Sequence, residues 1–578
     1  MKQIYAIILK GTTACAEFFR QAGASFYKMY GDLVTVLFFF IIFARRIITN
    51  YLLNRMKRQI FFIFAAFAFC ANAWAQYDSV AFAKTPDGKE WKAPCLAFKK
   101  SCYDFSVSPD RNLAAVKFGV ITRNGSFKID GELCMVDLQS GQPLWSRFIQ
   151  LYDRPLASKA PVIRLTRHGL LLLRGSRTEM LDSRTQTLLW KEKLLPLFRN
   201  DSLDILMGYQ SATSSKLKGL QLSTGRQLWE GKVPHKNNWG WNRMRVVNDT
   251  TVAVVADDIH FINPLTGRIR THKAYTGYED VGASVLLGLA GALGGVVGGA
   301  FVGSSFYYVP YVGSSIVSGL SSDILYRDGR YYVSDRDSLR CLDADARTLW
   351  ARGLPPKMVG RADLFGTEGP LLMVNYAFGL RGGANMKTVG KPFIASFDAA
   401  TGKTVCFNYL TAKKNRIVKS ACSANAVYLM FDDALGRMGL RDSVVDVQPW
   451  NSKADGKLVA MLSDTIYTFR ESDQTLTPLC VSDHRCVVMT DQEKLFVVDD
   501  RLKIVEDYAA DHIYRVLCRW GDCALVNFNG RKGDNWIIRK SGEPLAHITV
   551  PLVSLRLMDD TLYLLSGTRL FCINVKNL

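Results

Sequence analysis

Past residue 76 the chain alternates. Apolar residues come in short runs, some continuous and some alternating with polar ones, and each run stops at a turn. AVYLMFDDALGRMGL, KLVAMLSDTIYTFRESDQTLTPL, CVVMTDQEKLFVVDDRLKIVEDY, CALVNFNGRKGDNWIIRKSGEPLAHI and TLYLLSGTRLFCINV all read strand, turn, strand. A period of two bounded by turn residues predicts half-buried strands. No long amphipathic helix pattern occurs there outside one glycine-rich segment. A motif returns within the alternation. It reads MVDLQSGQPLW around Asp137, MLDSRTQTLLW around Asp182, LQLSTGRQLW around Ser223, FINPLTGRIR around Asn263, CLDADARTLW around Asp343 and SFDAATGKTVC around Asp398. An Asp or Asn that bonds the backbone just ahead of it starts a turn. A Gly that accepts the left-handed conformation closes it, and a Trp is large enough to fill the gap between neighbouring sheets.

The motifs lie 45, about 40, about 41, 80 and 55 residues apart. Four-stranded units repeated in series at about 40 to 60 residues predict a β-propeller. The pattern D-x-x-T-G-x-x-x-W, best seen in LSTGRQLW and FDAATGKTV, resembles the pyrroloquinoline-quinone-type propeller repeat. That family includes quinoprotein alcohol dehydrogenases and a propeller lipoprotein of the outer-membrane barrel assembly machinery. The resemblance spans the chain from about Tyr77 onward, strongest in its first half, and implies an all-β fold. The expectation is a single propeller of seven or eight blades over 76–578, eight being the better fit, closed by pairing 569–575 with an early strand. A quinoprotein dehydrogenase carries adjacent cysteines over its cofactor. This chain has no such pair, so no cofactor is implied, and fold alone does not give function.

The 80-residue spacing holds an insertion, 281–322, without a single charge. Gly291, Gly295, Gly299 and Gly303 recur every fourth position, as in small-xxx-small helix packing in lipid. As a helix, 283–303 would measure about 32 Å, close to a bilayer core. In water it would be a poor helix, because each Gly costs about 1 kcal/mol relative to Ala. Phe306, Tyr307, Tyr308 and Tyr311 follow, aromatic as at membrane interfaces, and Pro310 would end a helix. Three readings stay open: a helical hairpin arm that enters lipid or packs on a partner, an apolar loop folded on the propeller's own face, and a low-complexity segment. Both ends belong to one propeller, which argues against a permanent single span.

Ahead of the propeller, Met56-Lys57-Arg58, the apolar run 60–69 and Ala73-Trp74-Ala75 read as a signal peptide over 56–75. Residues 1–55 then read as a non-native upstream extension or an N-terminal anchor, with Cys70 a weaker acyl-anchor option. The chain carries 73 Lys and Arg against 52 Asp and Glu, a formal net charge of +21. In an exported protein this favours anionic lipid, lipopolysaccharide or acidic glycans over nucleic acid. Of thirteen cysteines, three pairs flank short loops and are candidate disulfides by hairpin spacing: Cys518 with Cys523, Cys480 with Cys486, and Cys95 with Cys102. No H-E-x-x-H, P-loop or G-x-S-x-G motif occurs, and Asp511-His512 is a lone acid–base pair, so no catalytic or metal residue is nominated. The functional expectation is an exported, non-catalytic propeller scaffold for protein–protein contact in a bacterial cell envelope, in the periplasm or at the outer membrane. Its insertion would dock it to membrane or partner. The alternative is a propeller enzyme or lectin acting on extracellular glycans.

Overall fold

Each motif folds as its chemistry requires. Asp182 Oδ1 accepts the backbone N–H groups of Arg184 at 2.9 Å and Thr185 at 2.7 Å. Asn263 does the same for Leu265 and Thr266, both at 3.0 Å. The turn closes when Gly225, Gly267 or Gly402 donates its N–H to the carbonyl four residues back. These glycines sit at φ of 71°, 72° and 69°, the left-handed region that costs a side chain. Where the motif lacks Gly, Gln186 and Ala346 adopt the same region at 63° and 58°.

The trailing Trp fastens one unit to the next. Trp145 Nε1 donates to Ser183 O at 2.8 Å, Trp190 to Leu222 O at 2.9 Å, Trp229 to Pro264 O at 2.7 Å and Trp350 to Ala399 O at 3.2 Å. Every acceptor belongs to the turn of the following motif. A Cβ added to Gly225 would stand 2.6 Å from Trp190, and one on Gly402 2.5 Å from Trp350. The motif Gly therefore answers two needs at once, the positive φ of its own turn and the close approach of the preceding unit's indole.

In this computed structural model the described residues are 77–121, 127–128, 132–148, 162–174, 177–211, 214–234, 243–248, 250–280, 299–302, 305–308, 315–366, 370–382, 385–410, 416–440, 444–462, 465–470, 475–509, 513–528 and 534–578. All lie in one compact unit, Ala73–Leu578. They form antiparallel four-stranded meanders in chain order: 102–148, 162–192, 195–232, 243–272, 325–353, 362–409, 417–449, 458–509, 513–548, and 554–574 completed by Glu90–Ala97. The architecture is an all-β, multi-bladed propeller. Among the described residues ten meanders follow one another, where repeat spacing predicts seven or eight. The six marked repeats each form one, and the unmarked stretch 417–574 packs in four more.

Burial joins the meanders pairwise. Trp145 of the first packs with Leu170 and Leu181 of the second, and Trp190 of the second with Leu206 and Leu222 of the third. The series ends where it began, with Tyr563, Leu565 and Leu570 packed on Phe105, Val116 and Phe118. Ring closure follows the expected route. Strand Arg569–Asn574 pairs with Glu90–Ala97, through Cys95↔Phe571, Leu96↔Leu570 and Ala97↔Arg569. Strand Tyr77–Lys84 then pairs both with Glu90–Ala97 and with Pro544–Ile548 of the preceding meander. The early hairpin thus covers two sheet edges that would otherwise be open.

The candidate disulfides do not form. None of the eleven cysteines after residue 76 is joined in a disulfide. In the 513–548 meander Cys518 faces Leu525 and Cys523 faces Trp520. The two are diagonal rather than opposed, and a diagonal separation of about 7 to 8 Å exceeds disulfide reach. The bridge Ser482↔Arg485 leaves Cys480 one place out of register with Cys486, so the two side chains leave opposite faces. Cys95 and Cys102 pack into different inter-sheet cores.

Candidate functional site: the neck of the insertion

The insertion leaves the ring through a sheet of its own. Gly277–Glu279, Ile316–Ser318, Phe378–Arg381 and Asn385–Thr388 form four antiparallel strands in that order. The first two are its base, and the last two are a hairpin inserted in the 362–409 meander. Two separate insertions therefore build one sheet. Val317 and Leu320 are fully buried there with Val389. A Cβ on Gly379 would stand 2.8 Å from Val317 Cγ1, so only glycine lets the strands approach. This corrects the outline of the insertion: 316–322 belong to the buried framework, and the excursion proper is 281–314.

Its two ends are fastened. Asp280 N donates to Ser315 O at 2.8 Å, and Leu320 N to Thr276 O at 2.9 Å. The Asp280 carboxylate is mostly buried and accepts from both Arg381 and Lys387 of the second insertion. Arg336 lies over the rings of Tyr275 at 5.0 Å and Tyr278 at 5.3 Å, within cation–π range. The last acidic residue before the uncharged stretch is thus the ionic lock of its neck.

Of the residues expected to dock, Gly299 lies on strand Gly299–Val302, and Phe306, Tyr307 and Tyr308 lie on Ser305–Tyr308. These two strands pair as a hairpin, with Gly299↔Tyr308 and Phe301↔Phe306. The hairpin adds to Leu195–Asn200, the first strand of the 195–232 meander, at Phe198↔Ser305. Over 299–302 the helical arm is therefore corrected to strand. Glycine disfavours helix, and the aromatic and β-branched residues that follow favour a pleated strand. Gly291, Gly295, Gly303 and Tyr311 lie outside the described residues, as do Asp511 and His512. No helix among the described residues is long and apolar enough to cross a membrane.

A concavity of about 510 Å³ opens between the first two meanders beside Ser108, Asp110, Thr166 and His168. The Ser108 and Thr166 hydroxyls are already committed. Ser108 Oγ donates to Asp110 at 2.5 Å and Thr166 Oγ1 to Gly169 O at 2.9 Å. Among the described residues no three His, Cys, Asp or Glu side chains converge to hold a metal ion.

No protein-family model matches the chain, and no curated protein matches it in sequence. Solved structures do. BamB from Moraxella catarrhalis is 12% identical, over 72% of this chain and 97% of that one, with a TM-score of 0.30. Apo AztD from Citrobacter koseri is 10% identical, over 65% and 92%, with a TM-score of 0.29. The computationally designed Ika8 protein is 10% identical, over 67% and 95%, with a TM-score of 0.28. At this identity and superposition the similarities say nothing about activity, and the fold rests on the sheets themselves.

Sequence reasoning missed the neck. The 276–280 and 376–389 segments carry no repeat marker, and only the tertiary fold brings Asp280 to Arg381 and Lys387. The isolated acid at the border of an uncharged run was the one available signal.

Proposed function

We propose that this protein is an exported β-propeller scaffold of a bacterial cell envelope, which holds the 281–314 excursion as its docking element for membrane or partner. The observation that carries the reading is the neck. A low-complexity loop needs no dedicated sheet, no ionic lock and no second insertion to hold its base. Here two insertions of the ring fix the points at which 281–314 starts and ends. The preceding signal-peptide pattern and the surplus of basic residues agree with an exported protein near anionic surfaces.

The test is fractionation of cells expressing the full chain and a version in which a short Gly-Ser linker joins Asp280 to Ser315. The neck and the buried 316–322 segment stay intact in both. The full chain is expected in the membrane fraction and the shortened one in the soluble fraction, with equal thermal midpoints. Equal partition of two folded proteins would overturn the docking role.

A further inference from the structure

Three turns of the marked half stand around one cavity. It measures about 510 Å³ and is bordered by the 108–112 turn of the first meander, the 166–169 turn of the second, and the start of the second motif turn at 182–184. A volume between about 300 and 1,000 Å³ suits a small molecule. The walls are held by bonds of their own. Asp110 takes the Ser108 hydroxyl on one oxygen and the Asn112 side chain on the other. Thr166 Oγ1 donates to Gly169 O and accepts the N–H groups of His168 and Gly169. Trp145 holds Ser183 from the first meander, and His168 Nε2 lies 3.3 Å from Asp204 Oδ1 of the third. The cavity is therefore fixed before anything enters it.

Two charged groups on this wall are not spent on holding it. Arg167 is exposed and has no hydrogen bond or ion pair among the described residues. Asp182 serves its turn through Oδ1 alone, which accepts Arg184 N, Thr185 N and the Thr185 hydroxyl. Its Oδ2 accepts no hydrogen bond among the described residues. The Thr185 N–H and hydroxyl hold this carboxyl below the usual aspartate range, so it is ionised at neutral pH. Arg184 is partly committed, 3.5 Å from Asp137. Around the cavity Arg167 and Arg184 balance Asp110 and Asp182. The border thus carries both signs and no net charge. A simple anion or cation would meet repulsion as well as attraction there, whereas a molecule with one charge of each sign finds a partner for both.

We propose that this cavity binds a small free zwitterion of the α-amino acid class, with Arg167 taking the carboxylate and Asp182 Oδ2 the ammonium. A guanidinium fork matches a carboxylate in shape and charge, and a carboxylate oxygen accepts ammonium N–H groups. The two residues border the same cavity from different turns, so they offer their charges to the two ends of one molecule. The site stands apart from the excursion's docking role and does not depend on it.

The test titrates the full chain with L-alanine, L-glutamine and L-phenylalanine, which span small, polar and large side chains. Acetate and methylammonium, each carrying one end of the zwitterion, are the controls at constant ionic strength. Thermal midpoint and calorimetry read the binding. At least one amino acid is expected to raise the midpoint saturably, beyond both controls, as a ligand of the native state does. Arg167→Gln and Asp182→Asn should each weaken that amino acid about tenfold, the loss of one charge-assisted hydrogen bond. Both variants should fold, because Arg167 has no partner to lose and Asn263 makes the same turn as Asp182. Asp398→Asn makes the same change in the sixth motif turn, which does not border the cavity, and should leave binding unchanged. Three results would overturn the proposal: no amino acid that outdoes acetate and methylammonium, an Arg167→Gln or Asp182→Asn variant that binds as tightly as the parent, or an Asp398→Asn variant that loses as much as Asp182→Asn.

Discussion

The marked meanders, 102–409, and the unmarked ones, 417–574, share strand order but are fastened to their neighbours differently. In the marked half an indole from one unit enters the turn of the next, and three of the four donors, Trp145, Trp190 and Trp229, are buried. The fourth marked unit has Thr271 at the Trp position, and His272 Nε2 donates to Ala346 O at 2.6 Å instead. Burial lowers the His272 pKa, which favours the neutral ring that serves as donor here. In the sixth unit Cys406 stands at the Trp position and the indole clasp ends. Beyond it the joints are individual. Asp483 accepts from Asn425 N at 2.8 Å and Asn425 Nδ2 at 2.7 Å. Tyr467 reaches Lys540 O at 3.2 Å. Trp450 donates within its own segment, to Gly456 O. One meander geometry therefore tolerates several joints. The repeat marker reports the kind of joint, and its loss does not mean that the fold has stopped.

This contrast breaks most sharply at the indole. Trp190→Ala removes a buried side chain and its hydrogen bond, and should cost about 3 to 5 kcal/mol. Cys406→Ala, at the same motif position, should cost less than about 1 kcal/mol. Urea denaturation of both variants checks it, and equal losses would show that the clasp is no stronger than the joint that replaces it. Next comes the glycine under the indole. Gly225→Ala must hold φ near 71° with its Cβ 2.6 Å from Trp190, and should cost about 2 to 3 kcal/mol. Gly521→Ala, in an unmarked hairpin at φ 50° with open space around it, should cost only about 1 kcal/mol. A Gly225 variant as mild as the Gly521 one would mean that the indole moves aside freely.

The smallest expected effect is acid sensitivity. In the marked half, turn N–H groups hold the Asp137 and Asp182 carboxyls below the usual aspartate range, with Ser140 and Thr185 as the main donors. In the unmarked half the Ser423 hydroxyl, then Asn425, pull Asp483 down to about 2. Each carboxylate is favoured in the folded state. Its contribution is complete above the unfolded aspartate pKa of about 3.9 and is lost as pH falls through the lowered value. Asp182→Asn, which copies the natural Asn263 turn, should leave the thermal midpoint at pH 7 nearly unchanged and make its decline between pH 4 and pH 2 shallower. An unchanged decline would remove Asp182 from the acid response.

Much of the fold was legible because it rests on local rules. Period-two alternation marked the strands, and Asp, Thr and Gly marked the turns. The closing pair between the last strand and an early one followed from the need to cover open edges. Unit number was less legible. The unmarked half keeps the alternation but drops the punctuation, so meanders such as 417–449 and 458–509 cannot be separated by motif. The three cysteine pairs were misjudged because loop length alone does not set register. A β-bulge between Val516 and Cys518 is invisible in the sequence. The candidate site was legible as an anomaly in composition, while its neck was not, since Asp280 and Lys387 lie far apart along the chain.

The sequence by itself determined that this chain makes strands, turns and serial four-stranded units, because side-chain alternation and turn chemistry act over a few residues. Tertiary structure decided the rest. It set where each indole donates and which two insertions share a sheet. Those contacts join residues tens to hundreds of positions apart, and their strength depends on burial and register, which no local pattern records.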